Sequence, residues 1–540
     1  LKSTLKYLGV KDDSQISWSK ILKNQKKKIF QEHKKNYKNK TVLIATNVGG
    51  QRFAVNIEAL ISIALYLKGY DVEYILCDGV LKACLMAQHN YLSEDENLNS
   101  GMKKICKSCF SHGDSVFSET GFKINYLSEY LTKKDIEQNN LLARKLSFDE
   151  MTKFEIDGIK IGIHSYSNLL RFYGAGEVEI NHASTEILRN FIVSSLITKK
   201  SIENLLSQKK IYKVFLHHAI YVPQGIIAEV AKKKGIDYTS WVQAYKNKSL
   251  EIAKNNNWAS RNIFETNTPW INSDLEKKSE LNLLDYFENK KKFKSNDWLS
   301  FNSKKRNDFV LEFIKKFKLI DKSKNVCIYT NLIWDAQIIY PNPIFKNMMD
   351  WVYSTVEYFS NRPDLNLIIR VHPGEIKSGY ISKERVYHSL KKKFKNLKRN
   401  IYVLDSSSEI NSYLLADYCD LNIVYSSRIS YELSAMGHNV IVAGSAFCSN
   451  KNITLDPKSK NEYFTLLNSF PNNLKPISFE RKINALKYAN YYLNEVCVEL
   501  SSININKEKW PPFNFNDNLI EILLNEKDNG IKKILKFILN

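Results

Sequence analysis

The sequence predicts an α/β protein built from two doubly wound domains, and three observations predict it. Short apolar runs recur along the chain and stop at turn-forming residues, the mark of strands buried on both faces of a parallel sheet. Stretches with apolar residues at helical spacing alternate with those runs. At 540 residues the chain also exceeds what one ordinary core holds, which implies two or three domains. The expected divisions are a basic helical arm at 1–40, a first domain at 41–290, a second at 305–480 and closing helices at 481–540.

The arm is rich in lysine, with Trp18, Ile21, Leu22 and Phe30 as docking points. The first strand is Thr41-Val42-Leu43-Ile44-Ala45-Thr46, followed by Asn47-Val48-Gly49-Gly50-Gln51, a helix over 54–67 closed by Gly69, and a strand over 72–76. That is a βαβ unit. Gly49 and Gly50 form a cleft loop that loosely matches a dinucleotide-binding turn without its third glycine; a plain tight turn is the equal alternative. Residues 85–210 read as mostly helical and polar, with a turn at Asp157-Gly158 and no legible packing. A second βαβ unit follows: a strand over 212–216 ending at His217-His218, a helix over 224–234, and a strand over 238–242. Charge runs and scarce glycine between 260 and 305 suggest the linker.

The second domain opens with a strand over 325–330 and the loop Asn331-Leu332-Ile333-Trp334-Asp335-Ala336-Gln337. A helix over 344–359 leads to Leu367-Ile368-Ile369-Arg370-Val371, which ends at His372-Pro373-Gly374-Glu375. Proline removes a ladder donor there and glycine relaxes the turn. After a helix, a strand over 401–404 and another helix comes the strand 421–424, then Tyr425-Ser426-Ser427 at the head of a helix over 428–436. The last strand, 440–443, ends at Gly444-Ser445-Ala446-Phe447. Two serines at a strand-to-helix turn outline a phosphate cradle. From 481 the chain reads as helical, and 530–539 places Ile531, Ile534, Leu535 and Ile538 on one face. That face suits a closing helix, the preferred reading, or a membrane-surface helix.

Basic residues outnumber acidic ones 79 to 57, for a net charge of +22, which favours phosphorylated ligands, nucleic acid or an anionic membrane. The runs Lys290-Lys291-Lys292-Phe293-Lys294 and Lys391-Lys392-Lys393-Phe394-Lys395 read as solvated faces. Eight dispersed cysteines suit a reducing compartment. Cys77, Cys84, Cys106 and Cys109 cluster, with a C-x-x-C in the last pair, but a six-residue gap in the first pair fits a structural zinc poorly, and ordinary thiols are expected. No apolar run reaches the length of a membrane span and no secretory h-region opens the sequence, so a cytoplasmic location is expected, with peripheral association at the inner membrane. No D-x-D triplet occurs, which points to metal-independent chemistry and no cofactor. The basic residues form no nucleic-acid motif, so no nucleic-acid partner is expected.

Placement unites the motifs. Asn47 to Gln51, His217-His218, Asn331 to Gln337, His372 to Glu375, Tyr425 to Arg428 and Gly444 to Phe447 each follow a predicted parallel strand. Ligands in open α/β sheets sit at such carboxyl edges. Two Rossmann-like domains facing a central cleft would have the GT-B architecture of many glycosyltransferases.

The second domain resembles the capsule polysaccharide synthesis family, which includes bacterial Kdo transferases, over about 320–460. The resemblance lies in Val371-His372-Pro373, in Ser426-Ser427-Arg428-Ile429-Ser430-Tyr431-Glu432-Leu433, in Gly444-Ser445-Ala446-Phe447 through Ile453-Thr454, and in an acidic loop at Asp335. It departs from the family's pattern at Trp334-Asp335-Ala336-Gln337 and at Cys448 to Asn452, and teichoic-acid glycerophosphotransferases share some of its marks. The resemblance implies a donor site at His372, Pro373, Glu375, Ser426, Ser427, Glu432 and Gly444, with Glu432 on ribose hydroxyls, and a catalytic role for Asp335. From their strand-end position His217 and His218 are further catalytic candidates. The expected function is transfer of a sugar from a nucleotide donor, with a CMP-linked Kdo-like sugar favoured, to a surface polysaccharide or lipid-linked acceptor. Two alternatives stay open: a nucleotide-sugar epimerase or hydrolase on the same fold, and a non-catalytic basic protein that binds nucleic acid.

Overall fold

The computed structural model describes residues 16–540 except 258, 261–264, 266–268, 296, 299–307, 322–323, 336, 341–343, 378–380 and 507–508. Residues 1–15 of the expected arm, part of the expected linker and Ala336 of the acidic loop therefore lie outside the described residues. Among the described residues no helix is long and apolar enough to cross a membrane.

Strands follow the apolar runs closely. They are β1 (Thr41–Asn47), β2 (Asp71–Leu76), β3 (Lys123–Tyr126), β4 (Ile211–His217), β5 (Tyr238–Gln243) and β6 (Ser249–Lys254). Next come β7 (Asn325–Tyr329), β8 (Asn366–Arg370), β9 (Ile401–Leu404), β10 (Leu421–Val424) and β11 (Asn439–Val442). Three short ones close the list: β12 (Cys497–Glu499), β13 (Ile503–Ile505) and β14 (Phe513–Phe515). The chain divides into two compact units, the first of residues 1–172, 179–258 and 497–540, the second of 173–178 and 259–496.

In the first unit a seven-stranded sheet runs β12-β6-β5-β4-β1-β2-β3. β5, β4, β1, β2 and β3 are mutually parallel, while β6 pairs antiparallel with both β5 and β12. Helix Arg52–Leu67 is buried along nearly all its length, as an all-round apolar sequence requires. Trp18 docks on it fully buried, its indole N–H donating to Asn56 Oδ1 at 3.1 Å, whereas Phe30, expected to dock, is exposed. The tail is not purely helical: β12 joins the sheet and β13 pairs with β14 before helix Asn529–Leu539. Asp528 caps that helix, and Ile531, Ile534, Leu535 and Ile538 are buried. The Tyr212 hydroxyl donates to Leu539 O and Thr239 Oγ1 to Phe537 O, so the apolar face closes over β4 and β5.

The second unit holds a five-stranded, wholly parallel sheet in the order β11-β10-β7-β8-β9. Val326, Ile328, Leu367, Ile369, Leu421, Ile423 and Ile441 from four of these strands are buried, and helix Met348–Ser360 packs its Trp351, Val352 and Val356 into the same core. Helix Lys277–Lys291, expected with the first domain, belongs to this unit. Both sheets have the doubly wound order 3-2-1-4-5, so each has one place where successive strands depart in opposite directions. In the first unit that place lies between β1 and β4, in the second between β7 and β10. Crevices for ligands form at such switch points.

Candidate functional site

In the second unit, the parallel ladders bring the ends of β10, β7 and β8 side by side. Asn331, two residues past β7, accepts the Ser426 backbone N–H on its Oδ1 at 3.2 Å, which bridges the switch point. Thr330 accepts the His372 backbone N–H on its hydroxyl at 3.0 Å, which ties β7 to β8. Ser426 and His372, 54 positions apart in sequence, are thus each held by neighbouring residues of one strand end.

The turn at His372 fixes its chemistry. The Gly374 N–H donates to His372 Nδ1 at 3.0 Å, so the ring proton resides on Nε2. Burial, aided by the Arg370 guanidinium, lowers the imidazole to about 4 and keeps it neutral. A Cβ on Gly374 would lie 2.7 Å from Nδ1, so only glycine permits this approach. Pro373 sits in the turn between β8 and the short helix Gly374–Lys377. Arg370 is itself buried and donates to the carbonyls of Val371, Asp405 and Ser408, which locks the β8 end to the loop after β9.

Glu375 is fully buried, and its Oε1 accepts the Val386 N–H at 3.1 Å. Burial raises its carboxyl to about 7, against the lowering effect of that hydrogen bond and of Arg385. Ser427 Oγ accepts the Ile429 N–H at 3.4 Å just ahead of helix Ile429–Ala435, which is two turns long and carries little dipole. Gly444 has a packing reason, since a Cβ there would lie 2.6 Å from Tyr425 O. Asp335 is half-buried in the turn after β7, its N–H on Leu332 O.

Glu432 departs from expectation. It is fully buried, its Oε1 accepts from Lys290 Nζ at 2.6 Å and its Oε2 from the Tyr413 hydroxyl at 2.5 Å. Arg428 lies 3.8 Å from it, and Asp297 lies 3.6 Å from both Lys290 and Arg428. Burial pushes the Glu432 carboxyl up, but Lys290 and Arg428 outweigh it and hold the carboxyl below its ordinary value. Both oxygens meet protein partners, so Glu432 joins helix Ile429–Ala435 to helix Lys277–Lys291 instead of presenting its carboxylate to ribose. Lys290, read from sequence as solvated, is 3% exposed at the centre of this network; a lysine run gave no sign of it. Lys391 and Lys392 are exposed, as expected.

In the first unit, Gly49 and Gly50 serve packing instead of an open loop. A Cβ on Gly49 would lie 2.2 Å from Cys109 O, and the Gly50 N–H donates to Cys109 Sγ at 3.0 Å. Helix Lys103–Thr120 therefore lies directly against the turn. Cys77, Cys84, Cys106 and Cys109 are free thiols that line one small cavity with Met86 and Met102. Burial raises Cys106 and Cys109 to about 12, which keeps them protonated and unreactive.

His217 and His218 stand at the switch-point edge, their rings 4.2 Å apart. Burial, with the charge of Arg171, lowers both, His218 to about 3. Bases that weak suit hydrogen bonding better than proton abstraction. Behind them, Glu58 accepts from the Thr46 hydroxyl and, at 3.2 Å, from the Trp241 indole N–H. Thr46 Oγ1 in turn accepts the His217 N–H at 3.1 Å. Glu58 was not among the expected site residues, although a lone carboxyl inside the apolar run Phe53 to Leu67 is a legible signal.

No family model matches the sequence, and no match arises among curated proteins. Among solved structures, the chain is similar to the beta Kdo 2,4 transferase KpsC of Thermosulfurimonas dismutans, at 13% identity over 58% of this chain and 88% of that one, with a TM-score of 0.34. The beta Kdo 2,7 transferase of the same protein gives 12%, 61%, 89% and 0.32. A glycosyltransferase from Rickettsia africae ESF-5 gives 12%, 93%, 100% and 0.27. Identities and TM-scores this low assign neither a family nor a role for any residue.

Proposed function

We propose that the chain is a glycosyltransferase that moves a sugar from a nucleotide-activated donor to a surface polysaccharide or lipid-linked acceptor. The second unit takes the donor and the first takes the acceptor. One observation carries this reading: at the β10-β7-β8 edge, Ser426 and His372 are both pinned by the residues that follow β7, and His372 has its tautomer fixed by Gly374. A neutral Nε2–H donor beside a serine turn suits a nucleotide phosphate, whose own charge strengthens the hydrogen bond. Negative charge that develops on the leaving nucleotide is then stabilised by preorganised donors, with Arg370 adding fixed positive charge behind the ring.

In this reading Glu432 and Lys290 position the helix behind the serine turn, Asp335 is the candidate acid–base group of the loop after β7, and Glu375 holds the segment after His372 in place. A CMP-linked, Kdo-like donor, metal-independent transfer and a cytoplasmic, membrane-peripheral location remain parts of the proposal.

Nucleotide-induced thermal shift with CMP, UDP, GDP and CDP tests it. His372→Ala should weaken binding of the preferred nucleotide by about 10- to 150-fold, the equivalent of ~1.5–3 kcal/mol for a hydrogen bond to a charged group. Ser427→Ala should weaken it less, and the exposed Lys392→Ala should leave it unchanged. Tight nucleotide binding by folded His372→Ala would place the donor elsewhere. Release of free nucleotide from a nucleotide sugar without any glycan would favour the epimerase or hydrolase alternative.

A further inference from the structure

The switch-point edge between β1 and β4 in the first unit holds more buried polar atoms than packing explains, and Asn47 there also borders the small thiol-lined cavity. Asn47, the last residue of β1, is 1% exposed, and neither its Oδ1 nor its Nδ2 has a partner within the protein. Gln224, fully buried, donates from Nε2 to Thr46 O at 3.0 Å, but its Oε1 has no partner. His217 and His218, at the end of β4, each leave a buried Nδ1 in the same condition. A buried polar group left without a partner is destabilising, so five such atoms at one strand edge are a standing liability unless something binds there.

Three residues with left-handed backbone lie at the same place. Asn47, His218 and Ala219 have φ values of +61°, +62° and +56°, in the left-handed region that non-glycine residues seldom occupy. Strain of this kind persists where surrounding structure enforces it, and it clusters at ligand sites. The enforcing structure is the Glu58–Thr46–Trp241 group, which grips the ends of β1, β4 and β5 from behind.

We infer that this edge binds a neutral, hydroxyl-rich glycosyl group through Asn47, His217, His218 and Gln224. The inference rests on the glycosyltransferase reading and names the chemistry of its acceptor end. The available atoms decide the class. Asn47 offers a donor and an acceptor, Gln224 an acceptor, and each neutral imidazole one of each between its two nitrogens. A sugar hydroxyl both donates and accepts, so such a mixed set matches it, whereas an anion asks for donors only. Arg171 carries a positive charge near the rings, its Cζ 4.7 Å from the Tyr221 ring centre. A carboxylated sugar is therefore the rival ligand.

Saturation-transfer NMR on the full chain tests the inference, with the methyl glycosides of glucose, galactose and N-acetylglucosamine against glucuronate and galacturonate. At least one neutral glycoside should bind. Asn47→Gly, which removes the amide but keeps the left-handed backbone, and Gln224→Leu should each weaken it about tenfold, as loss of a hydrogen bond or two implies. The nucleotide-induced thermal shift of both variants should match the parent, which also certifies their fold; should Gln224→Leu fail to fold, Asn47→Gly decides. Absence of neutral glycoside binding, preference for the uronates, or unchanged binding by Asn47→Gly would overturn the inference. If glycosides bind as expected but no nucleotide shifts the melting temperature, the transferase reading falls and the glycosyl site stands.

Discussion

Glu58 illustrates what one buried carboxyl does to a sheet edge. Burial raises it from the ordinary 4.5 to about 8, against the Thr46 and Trp241 hydrogen bonds that favour its ionised form. The folded chain therefore holds this proton up to about pH 8, where the unfolded chain releases it near pH 4.5. Its stabilisation is complete below about 4.5 and is lost as pH rises through about 8. Glu58→Gln keeps the shape and removes the titration. Thermal melts should accordingly show the variant gaining on the parent steadily across that window, and a stability difference independent of pH would refute the assignment. Neutral His217 and His218 stand beside it. Sequence placed those two histidines correctly at a strand end but could not give their protonation, because burial against Trp241 of β5 and Tyr221 is a tertiary fact.

At the scale of elements, strands were the most legible feature. The apolar runs at 41–46, 401–404 and 421–424 became β1, β9 and β10 within a residue, since a strand buried on both faces needs no partner pattern to be recognised. β3, β6 and β12 were missed: Lys123–Tyr126 is four residues long in a stretch that reads as helical, Ser249–Lys254 mixes polar with apolar residues, and Cys497–Glu499 is three residues long. Lys290 shows the same limit for a helix. Helix Lys277–Lys291 looks like part of a charged linker until Glu432 is seen to receive its ammonium. Removing one partner of a buried ion pair leaves the other charge uncompensated, at about 3–5 kcal/mol. Lys290→Met should lower unfolding free energy by that order, and adding Glu432→Gln should restore much of it, as a double-mutant cycle by chemical denaturation would reveal. Additive losses would mean that the two helices are joined by packing alone.

For the whole molecule, two domains and the doubly wound order were readable because alternating strand and helix signals admit few topologies. Their composition was not. The first unit recruits residues 497–540 from the far end of the chain, and the second takes 173–178 from the middle of the first. Contacts so distant in sequence leave no local trace. What both units share is one switch point each, with Asn331 and Ser426 at the second and Asn47 and His217 at the first. The two ligands of a transferase can then be read separately. Hydrogen exchange on the full chain should show the preferred nucleotide slowing amides at 330–332, 372–375 and 425–429, the strand ends that hold His372 and the serine turn. A neutral glycoside should slow amides at 47–51 and 217–224 instead. Ligand-bound amides gain protection because opening must now release the ligand as well. If the nucleotide protects 47–51 and 217–224 and leaves 372–375 unchanged, donor and acceptor have been assigned to the wrong sheets, whatever the overall affinities.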